Sequence, residues 1–169
     1  MGSRGRFVVA AFAATVALSF GVNGAERQVV GYIEDVRIFP GDLPLKAKID
    51  TGAKTSSIDV RDPVKFEREG REWVRFKIKT KTGESGLIER PVLRKTQIRR
   101  AETETEARYV INLGICLGGY FKQAEVNLNN RAGMGYRFLI GRLFLGDRFL
   151  IDSSKKNLTT PNCPEAPGR

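Results

Sequence analysis

Histidine is absent from this chain of 169 residues, and cysteine occurs only twice. Imidazole nitrogen and thiolate sulfur are the side-chain groups that zinc prefers in proteins. A zinc site here would have to combine Cys116 and Cys163, which lie far apart in the sequence, with carboxylates. We therefore predict no metal site.

The sequence also has no glycine-rich phosphate-binding loop of the form Gly-x-x-x-x-Gly-Lys-Ser/Thr. In nucleotide-dependent enzymes the backbone N–H groups of that loop surround the phosphates. Without it, the chain offers no recognisable site for ATP. We predict that the protein works without a cofactor.

Long apolar runs are missing after the first 25 residues, and the single run before that point is typical of a targeting signal. Arg4 and Arg6 precede an almost unbroken apolar stretch from Phe7 to Phe20, and small residues at 22–25 offer a cleavage site. A secretory signal peptide over residues 1–25 fits this pattern, while an uncleaved membrane anchor is the alternative. We expect an exported protein, periplasmic or secreted, with no membrane association after cleavage.

Roughly 145 residues remain after the signal, which is enough for one domain with its own core. We assign that domain to residues 26–160. Residues 161–169, with Pro164 and Pro167, predict a disordered tail. In an exported chain Cys116 and Cys163 could form a disulfide, but the sequence leaves their pairing open.

The formal net charge of +10 raises the question of a nucleic-acid partner. The basic residues, however, are distributed through alternating stretches such as Val74–Lys79, where alternation indicates one solvated face of a strand. The densest cluster, Arg90–Arg100, contains no long unbroken basic run. We predict a solvated basic surface and no nucleic-acid partner, with acidic molecules as the partners that this charge would favour.

Short alternating segments separated by turn residues follow one another along the whole domain. Glu69-Gly70-Arg71 and the segment 81–86 are turns between such segments, and polar residues 101–106 predict a loop. A helical turn is expected only over residues 142–147. Many short strands at close spacing predict an all-β protein, a sandwich or a closed barrel.

One stretch carries the chemistry on which the prediction of function depends. Leu45, Ala47 and Ile49 alternate with lysines, and this strand runs directly into Asp50-Thr51-Gly52-Ala53. A carboxylate followed by a hydroxyl and a glycine is how a turn presents an acid at the end of a strand. An ordinary turn has the same composition, so this motif alone does not decide the function.

A second motif, far downstream, favours a functional interpretation of the first. Residues 138–142 read Phe-Leu-Ile-Gly-Arg, a run of large apolar residues stopped by glycine and arginine. A strand with Asp-Thr-Gly-Ala, followed late by an apolar pair and Gly-Arg, resembles the retropepsin-like aspartic proteases. The closer resemblance, over residues 48–57 and 138–158, is to a bacterial branch often labelled "ATP-dependent zinc protease". It implies a closed barrel of retropepsin-like fold.

The resemblance implies a homodimer and a catalytic role for Asp50, Thr51 and Gly52. Hydrolysis by carboxylates needs two of them close together, sharing one proton. The chain has a single Asp-Thr-Gly, because the Asp152-Ser153-Ser154 segment lacks the glycine. In the family Asp50 would meet its own copy, the Thr51 hydroxyl would stiffen the loop across the dimer, and Gly52 would let the backbone approach the carboxylates.

Other roles follow from the same resemblance. Leu139 and Ile140 would pack beneath the loop, and Gly141 would allow that packing to be tight, although a plain strand-end glycine is the alternative. Ala53 would leave room for substrate. We expect a peptide or protein substrate and an aspartic-type peptidase.

Lys54 departs from the family pattern. Many retropepsins carry an acid at this position, which pairs with the arginine corresponding to Arg142. Lysine there would leave two cations near the cleft, so Lys54 and Arg142 would bind substrate and favour acidic peptides. The alternatives are that Lys54 points into solvent, or that the protein is a non-enzymatic binding module for acidic peptide or cell-wall polymer.

A mobile hairpin covers the cleft in such proteins and excludes water. Two turns are candidates for this cover, the one at Glu69-Gly70 and the one at residues 81–86. The second contains two glycines, so we favour it.

Overall fold

The computed structural model describes residues 26–80, 83–100 and 103–167, with the side chains of residues 98–107 outside the description. The predicted signal peptide, residues 1–25, therefore lies outside the described residues, as do Lys81 and Thr82. No helix in the described part of the chain is long and apolar enough to cross a membrane.

The described residues form strands and one helical turn. The strands are β1 (Gln28–Gly31), β2 (Ile33–Phe39), β3 (Leu43–Ile49), β4 (Ser56–Arg68), β5 (Arg71–Thr80), β6 (Gly83–Glu84), β7 (Ile88–Pro91), β8 (Arg94–Arg100), β9 (Thr103–Leu117), β10 (Tyr120–Asn129), β11 (Phe138–Ile140) and β12 (Phe149–Asp152). The helical turn is α1 (Arg142–Leu145).

Six strands close into a mixed barrel in the order β10-β9-β2-β3-β11-β4, and β4 returns to β10. The closing contact is parallel and joins Ser56–Asp59 to Val126–Asn129. Strand β11 lies between β3, to which it is parallel, and β4, to which it is antiparallel. The predicted all-β fold and closed barrel are confirmed.

The barrel interior is filled by the apolar positions of these strands. In β3 the residues Leu45, Ala47 and Ile49 are buried while the lysines between them face outward, as their alternation predicts. They join a core that includes Ile58, Ile111, Leu113, Val126, Phe138 and Ile140. Each large apolar side chain in such a core contributes about 1.5–3 kcal/mol to stability. The core thus fixes β3 and β11, the two strands that lead into the Asp50 and Gly141 motifs.

Strand β4 leaves the barrel through a register shift between Arg61 and Val64 and continues as a hairpin with β5. Glu69 and Gly70 both have positive φ at its turn, the backbone shape that matches the twist of a two-residue hairpin. The hairpin predicted at this position is therefore present.

Residues 103–106 of the polar segment do not form the expected loop, and residues 101 and 102 lie outside the described residues. Strand β9 begins at Thr103 and pairs with β8 from Arg94 onward, so residues 103–106 belong to a strand. Pairing with a neighbouring strand outweighs the low strand propensity of a glutamate-rich segment.

The C-terminal segment also differs from the expected disordered tail. Cys163 is buried and joined to Cys116 of β9 by a disulfide, which resolves the pairing that the sequence left open. The Asn162 N–H donates to the Gly118 carbonyl at 2.7 Å. Residues 161–167 are thus held on the outside of the barrel by a covalent link and a hydrogen bond.

A buried glutamate fastens the chain leading to this segment. The Glu34 carboxylate on β2 accepts hydrogen bonds from the backbone N–H groups of Gly31, Leu158 and Thr159, at 2.6, 2.9 and 3.0 Å. A buried carboxylate needs such donors, and charge-assisted bonds are the strong ones. Glu34 therefore connects β1, β2 and the chain after β12.

Candidate active site

The Asp50 loop emerges from the barrel between β3 and β4. The Asp50 N–H donates to the Ile140 carbonyl at 2.9 Å, which continues the β3–β11 pairing to the start of the loop. The Asp50 Oδ1 atom accepts the N–H groups of Gly52, at 2.9 Å, and Ala53, at 3.2 Å. Asp50 is half-buried, while Thr51 and Gly52 are exposed. Two backbone N–H groups thus fix the carboxylate at the surface of the barrel.

Gly141 lies directly beneath this loop. A Cβ atom at position 141 would come within 2.8–2.9 Å of backbone atoms of Ala53, Lys54 and Thr55, distances that real Cβ contacts do not show. The N–H groups of Arg142 and Leu143 donate to the Ala53 and Lys54 carbonyls at 2.9 and 3.0 Å. Leu139 and Ile140, just before the glycine, are buried. The two sequence motifs are therefore joined backbone to backbone, and the close approach requires glycine.

Arg142 has different partners from those that the sequence suggested. Its guanidinium Nη1 donates to the Thr51 and Gly52 carbonyls at 2.7 and 2.9 Å. The position expected to lack a partner is therefore engaged with the Asp50 loop itself. These two hydrogen bonds stabilise the Asp50 loop and direct the Arg142 charge toward the backbone of that loop.

A pocket of about 790 Å³ opens next to the loop. Ala53 and Lys54 line it, and their role in substrate binding stays a prediction. Arg142 lines a separate depression with Thr51, Leu145 and Asp147. The structure thus brings Ala53 and Lys54 into this pocket and places Arg142 in a separate depression next to Thr51.

Two arginines that sequence reasoning did not single out also line the pocket, Arg108 of β9 and Arg131 of the loop after β10. Burial and the neighbouring Arg108 charge lower the pKa of Arg131, and the Asp59 and Asp50 carboxylates act against this shift. The guanidinium remains cationic at neutral pH, because the ordinary pKa of arginine lies far above it. Arg131 therefore brings positive charge to the pocket.

Arg131 is held in place by a buried carboxylate. Asp59 Oδ1 accepts a hydrogen bond from the backbone N–H of Arg131 at 2.7 Å, and Asp59 Oδ2 accepts one from the guanidinium group of Arg137. The Arg131 Nε in turn donates to the Tyr136 carbonyl at 3.0 Å. In the sequence Asp59 follows the apolar Ile58 in an alternating strand. Nothing in the neighbouring residues indicates that its carboxylate accepts a hydrogen bond from a loop 72 residues away.

The hairpin of β8 and β9 borders this pocket through Arg94, Thr96 and Arg108. The turn at Glu69-Gly70 instead belongs to a different surface depression, lined by Lys65, Phe66 and Glu72. The favoured candidate cover, residues 81–86, includes Lys81 and Thr82, which lie outside the described residues. Strands β8, β9 and β10 therefore all border the pocket next to the Asp50 loop, whereas the turn at Glu69-Gly70 does not.

The residues present do not fit a zinc ion. The chain has no histidine, and both thiols are consumed in the Cys116–Cys163 disulfide. The described residues also contain no group of three or more histidine, cysteine, aspartate or glutamate side chains placed to hold a metal. We therefore assign no step of the chemistry to zinc.

Three comparisons place this geometry among known proteins. Residues 29–162 match the family model described as RimB-like, retropepsin-like aspartic endopeptidase RimB, so the chain belongs to the RimB-like family of retropepsin-like domains. A solved structure, the protein Lpg0085 of unknown function (DUF785) from Legionella pneumophila, has a TM-score of 0.70 and 30% sequence identity, covering 80% of this chain and 100% of that one.

Curated relatives are longer proteins. A probable alpha-L-glutamate ligase of Shewanella halifaxensis is 39% identical over 114 residues, which are 66% of this chain and 25% of the relative. One from Desulfotalea psychrophila is 37% identical over 131 residues, 75% of this chain and 28% of the relative. The chain thus spans about a quarter of the length of these curated relatives.

Proposed function

Given its membership of the RimB-like family, we propose that the protein is an exported aspartic endopeptidase that cleaves acidic, glutamate-rich peptides. The observation that carries this proposal is the Asp50 carboxylate fixed by a loop whose residue Lys54 lines a pocket together with Arg108 and Arg131. A carboxylate supplies hydrolytic chemistry, and the cations supply attraction for acidic chains.

The second carboxylate would come from a second copy of the chain. Two aspartates at hydrogen-bond distance share one proton, so that one acts as base toward water while the other acts as acid toward the carbonyl. Within the described residues, the hydrogen bonds to the Asp50 carboxylate come from its own loop. Thr51 and Gly52 are exposed in the single chain, which leaves the loop accessible to its symmetry mate. We propose that the enzyme is an isologous homodimer with one shared site.

The acidic substrate has two supports. The pocket carries four cationic side chains, Lys54, Arg94, Arg108 and Arg131, against one carboxylate, Glu125, which is bonded to Arg94 at 2.6 Å. The curated relatives, moreover, are named as glutamate ligases. A domain that is part of such proteins would act on chains rich in glutamate.

Export has support from the sequence and from the disulfide. The apolar start of the chain has the composition of a secretory signal. Disulfides persist in oxidising compartments and are rare in the cytosol. The Cys116–Cys163 bond is therefore what a periplasmic or secreted protein would retain.

A second candidate function uses the same pocket without hydrolysis. Lys54 stands where many retropepsins have an acid, and the basic pocket would hold an acidic peptide or cell-wall polymer without a second Asp50. A binding module of this kind would need no dimer through the Asp50 loop. Hydrolysis assays separate the two functions.

We expect the protein to cleave a glutamate-rich peptide in a way that depends on paired carboxylates. A peptide mimic that carries a hydroxyl in place of the attacked carbonyl should block cleavage, because it resembles the tetrahedral species. A chelator should leave the rate unchanged. Loss of activity in chelator that zinc restores would contradict the proposed aspartic chemistry.

Reversing the charge at Lys54 should weaken the preference for acidic peptides. With Lys54→Glu we expect the ratio of kcat/KM for glutamate-rich over glutamine-rich peptides to fall by about tenfold at low salt, because an ion in a partly desolvated pocket attracts strongly. In the parent this ratio should shrink as salt screens the charges. Lys79→Glu, the same change at an exposed residue of β5, is the matched control and should keep the parent ratio. Equal ratios for the parent and Lys54→Glu would show that Lys54 is a solvated surface residue.

A further inference from the structure

The pocket beside Asp50 contains buried polar atoms without hydrogen-bond partners. Ser57 and Asn127 line it, with only 7% and 9% of their surface exposed. Neither the Ser57 Oγ nor the Asn127 Oδ1 has a partner among the described residues. Leaving such an atom unsatisfied costs about 1–3 kcal/mol, so buried polar atoms in native proteins normally have partners. Both side chains line the pocket, which makes a bound ligand one source of the missing partners.

The barrel brings these two side chains together. Ser57 of β4 and Asn127 of β10 are direct partners in the parallel contact that closes the barrel. Leu139 of β11 is the partner of Ser57 on its other side, and it too lines the pocket. These three residues thus lie on three adjacent strands of the rigid barrel, where side-chain positions are fixed more firmly than on loops.

Cations surround this polar pair. Arg108 is 9% exposed, Arg131 is half-buried, and Lys54 is exposed at the end of the Asp50 loop. Guanidinium groups bind carboxylates with fork-like geometry. The pocket therefore offers positive charge for an anion together with the Asn127 oxygen, which can only accept a hydrogen bond.

We propose that this pocket is a subsite that binds one glutamate residue of the substrate, with Arg108 and Arg131 on its side-chain carboxylate and Asn127 and Ser57 on its main-chain N–H. An amino-acid residue presents both groups at once, an anion and a nearby donor. A phosphate, which at neutral pH is chiefly an acceptor of hydrogen bonds, would leave the Asn127 oxygen unpaired. The assignment rests on the proposed peptidase function and names what its site selects.

The subsite lies next to the reacting carboxylate. Ala53 and Lys54 belong to both the Asp50 loop and the pocket, and Asp50 acts electrostatically on Arg131. In a homodimer two-fold symmetry gives two such pockets, one on each side of the shared aspartates. Glutamate should therefore be selected at two positions, placed symmetrically about the cleaved bond.

Binding to the Asp50→Asn variant tests the subsite without hydrolysis. The probes are glutamine-rich peptides in which a single glutamate is moved along the chain, with Kd measured by fluorescence anisotropy. We expect binding to tighten by about tenfold when the glutamate occupies the selected positions. Added Arg131→Gln should remove this gain. Added Asn127→Leu should weaken both peptides, and added Lys79→Gln should change neither.

Control variants separate loss of the subsite from loss of the fold. Arg131 also holds its own loop, so Lys54→Gln, an exposed change in the same pocket, provides a second measure of the glutamate gain. Thermal unfolding of each variant identifies any that do not fold. A folded Arg131→Gln and a folded Lys54→Gln that both keep the full glutamate gain would overturn the subsite.

The remaining outcomes distinguish the subsite from the peptidase function. If the parent cleaves peptides but glutamate position has no effect on Kd, the subsite is wrong and the peptidase function stands. If the parent cleaves none of the peptides yet position-dependent binding is found, the subsite stands and the peptidase function is wrong. Tighter binding of phosphoserine than of glutamate at the selected position would overturn the assignment to a carboxylate.

Discussion

The Asp50→Asn variant is expected to lose peptidase activity by about three orders of magnitude while it remains a folded dimer. The amide is nearly the same size as the carboxylate and can still accept the Gly52 and Ala53 N–H groups through its oxygen. It cannot, however, take a proton from the attacking water or share one with its symmetry mate. The loss should therefore appear in kcat, with the KM for a glutamate-rich peptide changed little.

Initial rates on one glutamate-rich peptide, together with the molecular mass in solution, measure this effect. Asp62→Asn is the matched control, because it makes the same chemical change on an exposed residue where β4 leaves the barrel. That control should keep the parent rate. An Asp50→Asn dimer that cleaves as fast as the parent would exclude Asp50 as the reacting group.

Replacing both cysteines by serine is expected to lower the free energy of unfolding by about 4 kcal/mol. Cys116 and Cys163 are 47 positions apart, and the bond between them restricts a loop of that length in the unfolded chain. It also anchors residues 161–167 to the barrel. For a domain of this size the loss corresponds to a fall in Tm of about 10 °C or more.

Urea unfolding of the parent and of the Cys116→Ser/Cys163→Ser variant measures this effect. The parent treated with reductant should approach the variant, whereas the variant itself should not respond to reductant. A variant as stable as the oxidised parent would show that the disulfide does not hold the domain together, and it would remove one support for export.

The Asp50 loop was predictable because its signals are local. Alternation in Leu45, Ala47 and Ile49 indicates a half-buried strand, and Asp-Thr-Gly-Ala indicates the turn that follows. Gly141 required a second, distant motif, and the packing of its Cα against the loop backbone explains why no larger residue fits. A closed barrel follows from many short strands, since closure leaves few unpaired edges.

The parts that could not be predicted depend on contacts between distant residues. Residues 161–167 are fixed in place by the disulfide to Cys116 and the hydrogen bond to Gly118. Pairing with β8 makes residues 103–106 part of strand β9. Arg142 finds its partners in backbone carbonyls, which sequence patterns do not reveal.

The lining of the pocket shows the same limit. Arg108 falls at an ordinary alternating position of β9, and Arg131 falls in a loop that Asp59 positions from another strand. Their neighbourhood exists only after the barrel closes through β4 and β10. Sequence reasoning therefore anticipated a basic cleft from Lys54 but could not name the arginines that make it basic.

The most direct test of the central proposal, one active site shared by two Asp50 residues, is to mix subunits. Parent and Asp50→Asn chains are unfolded together in equal amounts and refolded. The rate of this mixture is compared with the rate of a refolded sample that contains only parent chains at the same total chain concentration. If each site needs Asp50 from both chains, only parent homodimers are active, and about one quarter of the rate should remain. A remaining rate of about one half would mean that each subunit acts alone, which would contradict the shared site.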